Sequence, residues 1–222
     1  HLTFISEYNK NLSLSKIKDV NSSVIRCGST CPIEYNYKPV ENKSIVFGRV
    51  TAFCPSKRIM DTLWCASKLR NNIFIIGGEV QDKFYYNKVL DFIKDNKLDN
   101  VEIYLNMSDD MKNHMYDRID VLHYPTTNEA FCFSILEGME RGIPVISYDN
   151  SAIPELNHKE NLVLVEDGNL DQLVNETIKL SESKDECNRL GKLNRSVYEE
   201  FYTSKRYSDD VLNLYERLYD DR

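Results

Sequence analysis

The stretch VLHYPTTNEAFCFSILEGMERGIPVISY, residues 121–148, decides the fold. VLHYP (121–125) is a short, almost unbroken apolar run, the pattern of a strand buried on both faces. TTNE (126–129) is a polar loop, and residues 134–141 return to helical spacing. Gly142 ends that helix, and IPVISY (143–148) is apolar and β-rich again. Strand, helix and strand joined this closely form one β-α-β unit, which requires parallel strands.

Working outward, the unit repeats. On the amino-terminal side SIVFGR (44–49), NIFIIGG (72–78) and VEIYL (101–105) read as strands. Between them lie helical runs at 55–69, with Ile59, Leu63, Ala66 and Leu69 inward, and at 81–96, with Phe84, Val89, Phe92 and Ile93 inward. Ser108, followed by Asp109 and Asp110, opens a further short helix. On the carboxyl-terminal side come a strand at NLVLV (161–165) and helices near 169–182, 185–200 and 205–219. The expectation is an α/β domain, a Rossmann-like doubly wound parallel sheet covering residues 44–222.

Residues 1–43 do not join this pattern. LTFISEYN reads as a strand with a polar turn, SSVIRCG (22–28) as a second strand, and CPIEYNYKPVENK (31–43) as a linker. Two strands with so little between them read as the end of another domain.

Composition bounds the function. The chain has 222 residues, 28 basic and 35 acidic, and a net charge of −7, which disfavours a nucleic-acid surface. No apolar run has the length of a membrane span. The six cysteines (27, 31, 54, 65, 132 and 187) show no zinc spacing and read as free thiols in a reducing, cytoplasmic setting. His123 lies inside an apolar strand and reads as a core residue. There is no GxGxxG, no P-loop and no nucleophile elbow.

In a doubly wound sheet the ligand lies beyond the carboxyl ends of the strands. That edge collects Gly48 and Arg49, Gly77 and Gly78, Asn106, Pro125 to Glu129, and the residues from Tyr148 onward. Ser134-Ile-Leu-Glu137 has the S-x-x-E form of a capping box, so Glu137 reads first as a helix cap. The same helix N-terminus is also a place for phosphate. Arg49 and Lys57 could serve phosphate oxygens; taken singly, each reads better as a solvated surface charge.

Together these residues carry a resemblance. Gly48-Arg49, Lys57, the glycines after Ile75-Ile76, Pro125, the E-x7-E of Glu129 and Glu137, the following G-x-P-V and Pro154-Glu155 resemble the carboxyl-terminal, donor-binding domain of GT-B glycosyltransferases, in particular the retaining enzymes of glycosyltransferase family 4. The resemblance implies a nucleotide-sugar donor, GDP-mannose or a UDP-sugar, and no metal or other cofactor. It implies that Arg49 and Lys57 neutralise the donor diphosphate, and that Glu129 contacts the transferred sugar. Glu137 would hold the ribose, Asn106 and Met107 would line the base, and Phe131, Cys132, Phe133 and Ser134 would face sugar and phosphate. It implies transfer with retention at the anomeric carbon, to a glycan, protein or lipid acceptor, and identifies residues 1–43 as the tail of an acceptor-side domain plus linker. The sequence departs from the family's pattern at Cys132, at Leu105 and at Arg58, where glycine is common. Also open at this stage are a sugar-nucleotide epimerase of the same fold, a non-catalytic sugar-nucleotide or partner-binding module, and a homodimeric assembly.

Overall fold

The structure, a computed structural model, describes residues 1–16, 20–28, 39–41 and 44–220. Most of the segment read as a linker, with Cys31, lies outside the described residues.

The chain opens with β1 (Leu2–Phe4), α1 (Glu7–Leu14) and β2 (Ser22–Val24). β1 and β2 pair in parallel as a separate two-stranded sheet. The stretch read as a polar turn after the first strand is therefore the helix α1. Its composition gave no apolar stripe, and no α1 residue is buried. Capping holds it instead: Ser6 Oγ accepts from Asn9 N–H, and the Glu155 carboxylate accepts from the N–H groups of Glu7 (2.9 Å) and Tyr8 (2.7 Å).

The main unit follows: β3 (Val46–Val50), α2 (Ile59–Lys68), β4 (Ile73–Gly78), α3 (Lys83–Asp95), β5 (Val101–Leu105), α4 (Asp109–Arg118), β6 (Val121–His123), α5 (Phe133–Glu140), β7 (Val145–Asp149) and β8 (Val163–Glu166). The helices α6 (Leu170–Glu182), α7 (Lys184–Phe201) and α8 (Ser204–Asp220) complete it. The strands form one six-stranded parallel sheet in the order β5-β4-β3-β6-β7-β8. The chain steps outward from β3 to β5, then returns to the other side of β3 with β6. The topological switch point thus lies between β3 and β6.

Helices bury both faces of the sheet. Phe47 and Phe74 stack at 5.0 Å between neighbouring strands, and Ile75, Ile76, Leu122, Val145 and Ile146 are fully enclosed. Burying one such side chain contributes about 1.5–3 kcal/mol. His123 lies in this core, its ring nitrogens 3.2 Å from Thr62 Oγ1 and 3.1 Å from Thr177 Oγ1. Burial, and then the nearby Arg49 charge, lower its pKa to about 3.

One inward assignment and one helix boundary change. Phe84 is 71% exposed; Tyr85 takes the buried place, its hydroxyl accepting from Met60 N–H. The helix expected over 55–69 is broken into a 3₁₀ turn, Pro55–Lys57, and α2. Arg58 separates them in the left-handed region, at φ +44°. Among the described residues, no helix is long and apolar enough to cross a membrane.

Candidate functional site

Arg49 leaves the carboxyl end of β3 at the switch point, but its guanidinium does not stand free. It is fully buried and donates to Thr62 Oγ1 (2.8 Å), the Lys57 carbonyl (2.6 Å) and the Pro125 carbonyl (3.1 Å). It also lies over the Tyr124 ring, 4.9 Å from its centroid. Burial depresses its pKa, and neighbouring acidic groups partly offset this. Nε has no hydrogen-bond partner among the described residues. The reading of Arg49 as a surface charge is therefore corrected. Its donors hold the turn after β3 against the loop after β6.

That turn presents Lys57. Its Nζ lies 2.5 Å from Glu129 Oε1, with the two side chains 22% and 11% exposed. Thr126, fully buried, donates to the same carboxylate oxygen at 2.9 Å. The Glu129 loop is tied down along its backbone as well. Thr127 N–H donates to the Ser56 carbonyl, Ala152 N–H to the Glu129 carbonyl, and Ser6 Oγ to the Ala130 carbonyl. Arg49, Lys57 and Glu129, distant in sequence, are brought together.

Beyond Glu129 the chain enters α5 through Cys132, a buried residue at φ +74°. Left-handed backbone is unfavourable for a residue with a Cβ, which accounts for the glycine expected there. Phe131 is buried edge-on against Tyr202, and Phe133 is half exposed. The N–H groups of Phe133 and Ser134 open the helix, and neither is hydrogen bonded among the described residues. Such a terminus favours an anion.

The capping box is not formed. Ser134 lies inside α5, and its Oγ donates to the Val50 carbonyl at 2.9 Å; the cap position is Cys132, which makes no side-chain cap. Glu137 points to α4 instead, pairing with Lys112 Nζ at 3.0 Å and accepting from Tyr116 OH at 2.7 Å. Tyr116 itself is buried, and burial, reinforced by Glu137, raises its pKa well above the ordinary value. Sequence spacing could not distinguish these arrangements, because S-x-x-E fits a helix start and a helix interior alike.

Asn106 and Met107 follow β5. Asn106 adopts φ +52° and its N–H donates to the Gly78 carbonyl at 3.2 Å. Met107 lies over Gly77, where an added Cβ would come within 2.4 Å of Met107 Cε. Gly78 answers a tighter demand: a Cβ there would fall 1.7 Å from the Thr51 carbonyl oxygen. Among the described residues, no group of three or more His, Cys, Asp or Glu could hold a metal ion.

With this geometry in place, the sequence matches the family described as Glycosyl transferases group 1 over residues 38–197, most of the chain. The chain belongs to that family. This corrects the narrower assignment to glycosyltransferase family 4, which rested on E-x7-E and G-x-P-V, local patterns of one loop and the strand after it. The group 1 match extends across the whole six-stranded sheet.

Solved structures agree on the fold. Staphylococcus aureus TarM, in a complex with UDP among other ligands, is 19% identical, with a TM-score of 0.81 over 96% of this chain and 43% of its own. A glycosyltransferase from Rickettsia africae is 18% identical, with a TM-score of 0.85 over 99% of this chain and 64% of its own. Anabaena HepE with UDP-glucose is 14% identical, with a TM-score of 0.85 over 97% of this chain and 63% of its own. The group 1 chain therefore has a GT-B-type, Rossmann-like domain and spans less than two thirds of the length of these structural relatives. No curated protein matches it.

Proposed function

We propose that this chain is the donor-binding part of a glycosyltransferase that moves a sugar from a nucleotide sugar to an acceptor. One observation carries the reading. A lysine and a glutamate from separate loops meet at the switch point, ahead of a helix whose first two N–H groups have no hydrogen-bond partner among the described residues.

The roles follow from the chemistry of each group. The Lys57 ammonium and the N–H groups of Phe133 and Ser134 take the donor diphosphate, which balances the charge that Glu129 balances without ligand. Glu129, released from Lys57, accepts from sugar hydroxyls. Glu137 accepts from ribose hydroxyls, and the turn at Asn106 and Met107 borders the base. Phe131 and Cys132 shape the entry to α5. Arg49 acts through the turn it holds.

In the transfer, the bond from the sugar's anomeric carbon to the diphosphate oxygen breaks. A bond from that carbon to the acceptor oxygen forms, on the same face if configuration is retained. The acceptor proton passes to the departing diphosphate. Lys57 and the helix N-terminus stabilise the charge developing there.

UDP accompanies TarM, and UDP-glucose accompanies HepE, which makes a UDP-sugar the first donor to test and GDP-mannose the second. Residues 1–43 are assigned to the acceptor-side domain and its linker. Support comes from β1 and β2, which form a sheet of their own, apart from the six-stranded one.

Calorimetric titration with UDP, GDP, UDP-glucose and GDP-mannose tests the reading. One diphosphate should bind, and its parent nucleoside should bind far more weakly. Absence of binding by all four would overturn it.

A further inference from the structure

Arg58 is an arginine in a backbone conformation that suits glycine, and the side chain it carries there is well anchored. Its NH1 lies 3.3 Å from Asp167 Oδ1 and 3.9 Å from Asp61 Oδ2, and its guanidinium lies over Tyr148, 4.9 Å from the ring centroid. Asp167 Oδ1 also accepts from Asn150 Nδ2 at 2.8 Å. The same Asn150 amide donates to the Thr126 carbonyl at 2.9 Å. Thr126 donates to Glu129, and Glu129 pairs with Lys57, the residue before Arg58.

These contacts close a circuit: Lys57, Glu129, Thr126, Asn150, Asp167, Arg58 and back to Lys57 through the peptide bond. It joins the loops after β3, β6, β7 and β8 through side chains, beside two backbone bonds, Thr127 N–H to the Ser56 carbonyl and Ala152 N–H to the Glu129 carbonyl; the loop after β8 enters it through Asp167. Cutting it at Arg58 or Asn150 leaves the Lys57–Glu129 pair and those two backbone bonds in place and removes the side-chain tether that steadies the loops carrying them.

We infer that Arg58 and Asn150 are positioning residues for the Lys57–Glu129 pair, a role that rests on the proposed binding of a nucleotide diphosphate at that pair. Neither touches the ligand. Each acts through Asp167 and Thr126 to fix where the ammonium and the carboxylate stand.

The test is a double-mutant cycle on the whole chain, with Arg58→Gly, Asn150→Ala and both together, and Arg189→Ala on the exposed face of α7 as control. Arg58→Gly removes the side chain and relieves the left-handed backbone, so its melting temperature should hold or rise. A merely structural arginine would then leave affinity untouched. Instead each single variant should bind UDP or GDP, whichever wild type prefers, about tenfold more weakly, equivalent to roughly 1.4 kcal/mol. The double variant should be no worse than either single one, because one circuit can be cut only once. Arg58→Lys should recover part of the loss, and Arg189→Ala should bind as wild type does. Hydrogen exchange of the unliganded chain should quicken at Thr126 to Ala130 in both single variants.

Full affinity in the single variants, or fully additive losses, would overturn the inference. A wild type that binds no nucleotide diphosphate would count against the proposed function alone. Exchange then decides the inference: quickened amides sustain the circuit, and unchanged amides overturn it.

Discussion

Lys57 Nζ and Glu129 Oε1 are 2.5 Å apart, so the acid and the base assigned to different parts of a ligand neutralise each other without one. Ligand phosphate must compete with Glu129 for the ammonium. Glu129→Gln should therefore bind a nucleoside diphosphate as tightly as wild type or more tightly. Its sugar nucleotide should lose whatever advantage it had over the diphosphate. Lys57→Ala should weaken the diphosphate by roughly 1.5–3 kcal/mol and the nucleoside little. Parallel titrations of the three ligands check both variants.

Arg49 predicts a different phenotype. Its side chain is enclosed and bonded to Thr62, Lys57 and Pro125, so truncation leaves buried acceptors unpaired. Arg49→Ala should lower unfolding stability by about 3 kcal/mol, a broken buried polar network being among the costlier single changes. Urea unfolding measures this. A variant of full stability with selective loss of diphosphate binding would show that the guanidinium reaches ligand directly.

Glu137 separates support from recognition. Gln at this position keeps the acceptor for Tyr116 OH and loses the ion pair with Lys112, which is partly exposed and worth about 0–1 kcal/mol. Melting temperature should barely move. Discrimination between ribose and 2′-deoxyribose nucleotides should shrink, as competition titrations would show.

His123 gives a pH signature. Its folded pKa of about 3 lies below the ordinary histidine value, so the unfolded chain binds the proton more readily. Its contribution to stability is complete above that ordinary value and is lost as pH falls toward 3. Between pH 6.5 and 5.5 the loss approaches about 1 kcal/mol from this residue. His158, whose pKa burial also lowers, acts in the same direction. Urea unfolding across that range should show a shallower slope in His123→Gln than in wild type.

What could be read from the residues alone divides along physical lines. The parallel sheet was legible because strands buried on both faces must be continuously apolar, as Phe47, Ile75 and Ile146 are. The start of α4 was legible because Ser108 caps through its own side chain, accepting from Met111 N–H. The gathering of Arg49, Lys57 and Glu129 followed from topology. What failed to show was the direction of side chains. Glu137 could cap its helix or cross to Tyr116, and only the placement of α4 decides. Arg49 could face solvent or the interior, and the Pro125 carbonyl that claims it comes from the loop after β6, 76 residues further along the chain. α1 carried no periodic signal because its N-terminus is completed by Glu155, far away in the sequence.

That last contact has a mechanical consequence. Glu155 grips two consecutive amides of α1, and Ser6, one residue before the helix, grips Ala130 beside Glu129. All three bonds span the same short seam between the β1-α1-β2 unit and the six-stranded unit. Hydrogen bonds are short-ranged, so a tilt at this seam does not loosen them gradually. A swing wide enough to part these three bonds would free the Ala130 carbonyl, while the Ala152–Glu129 bond inside the six-stranded unit would still hold the neighbouring residue.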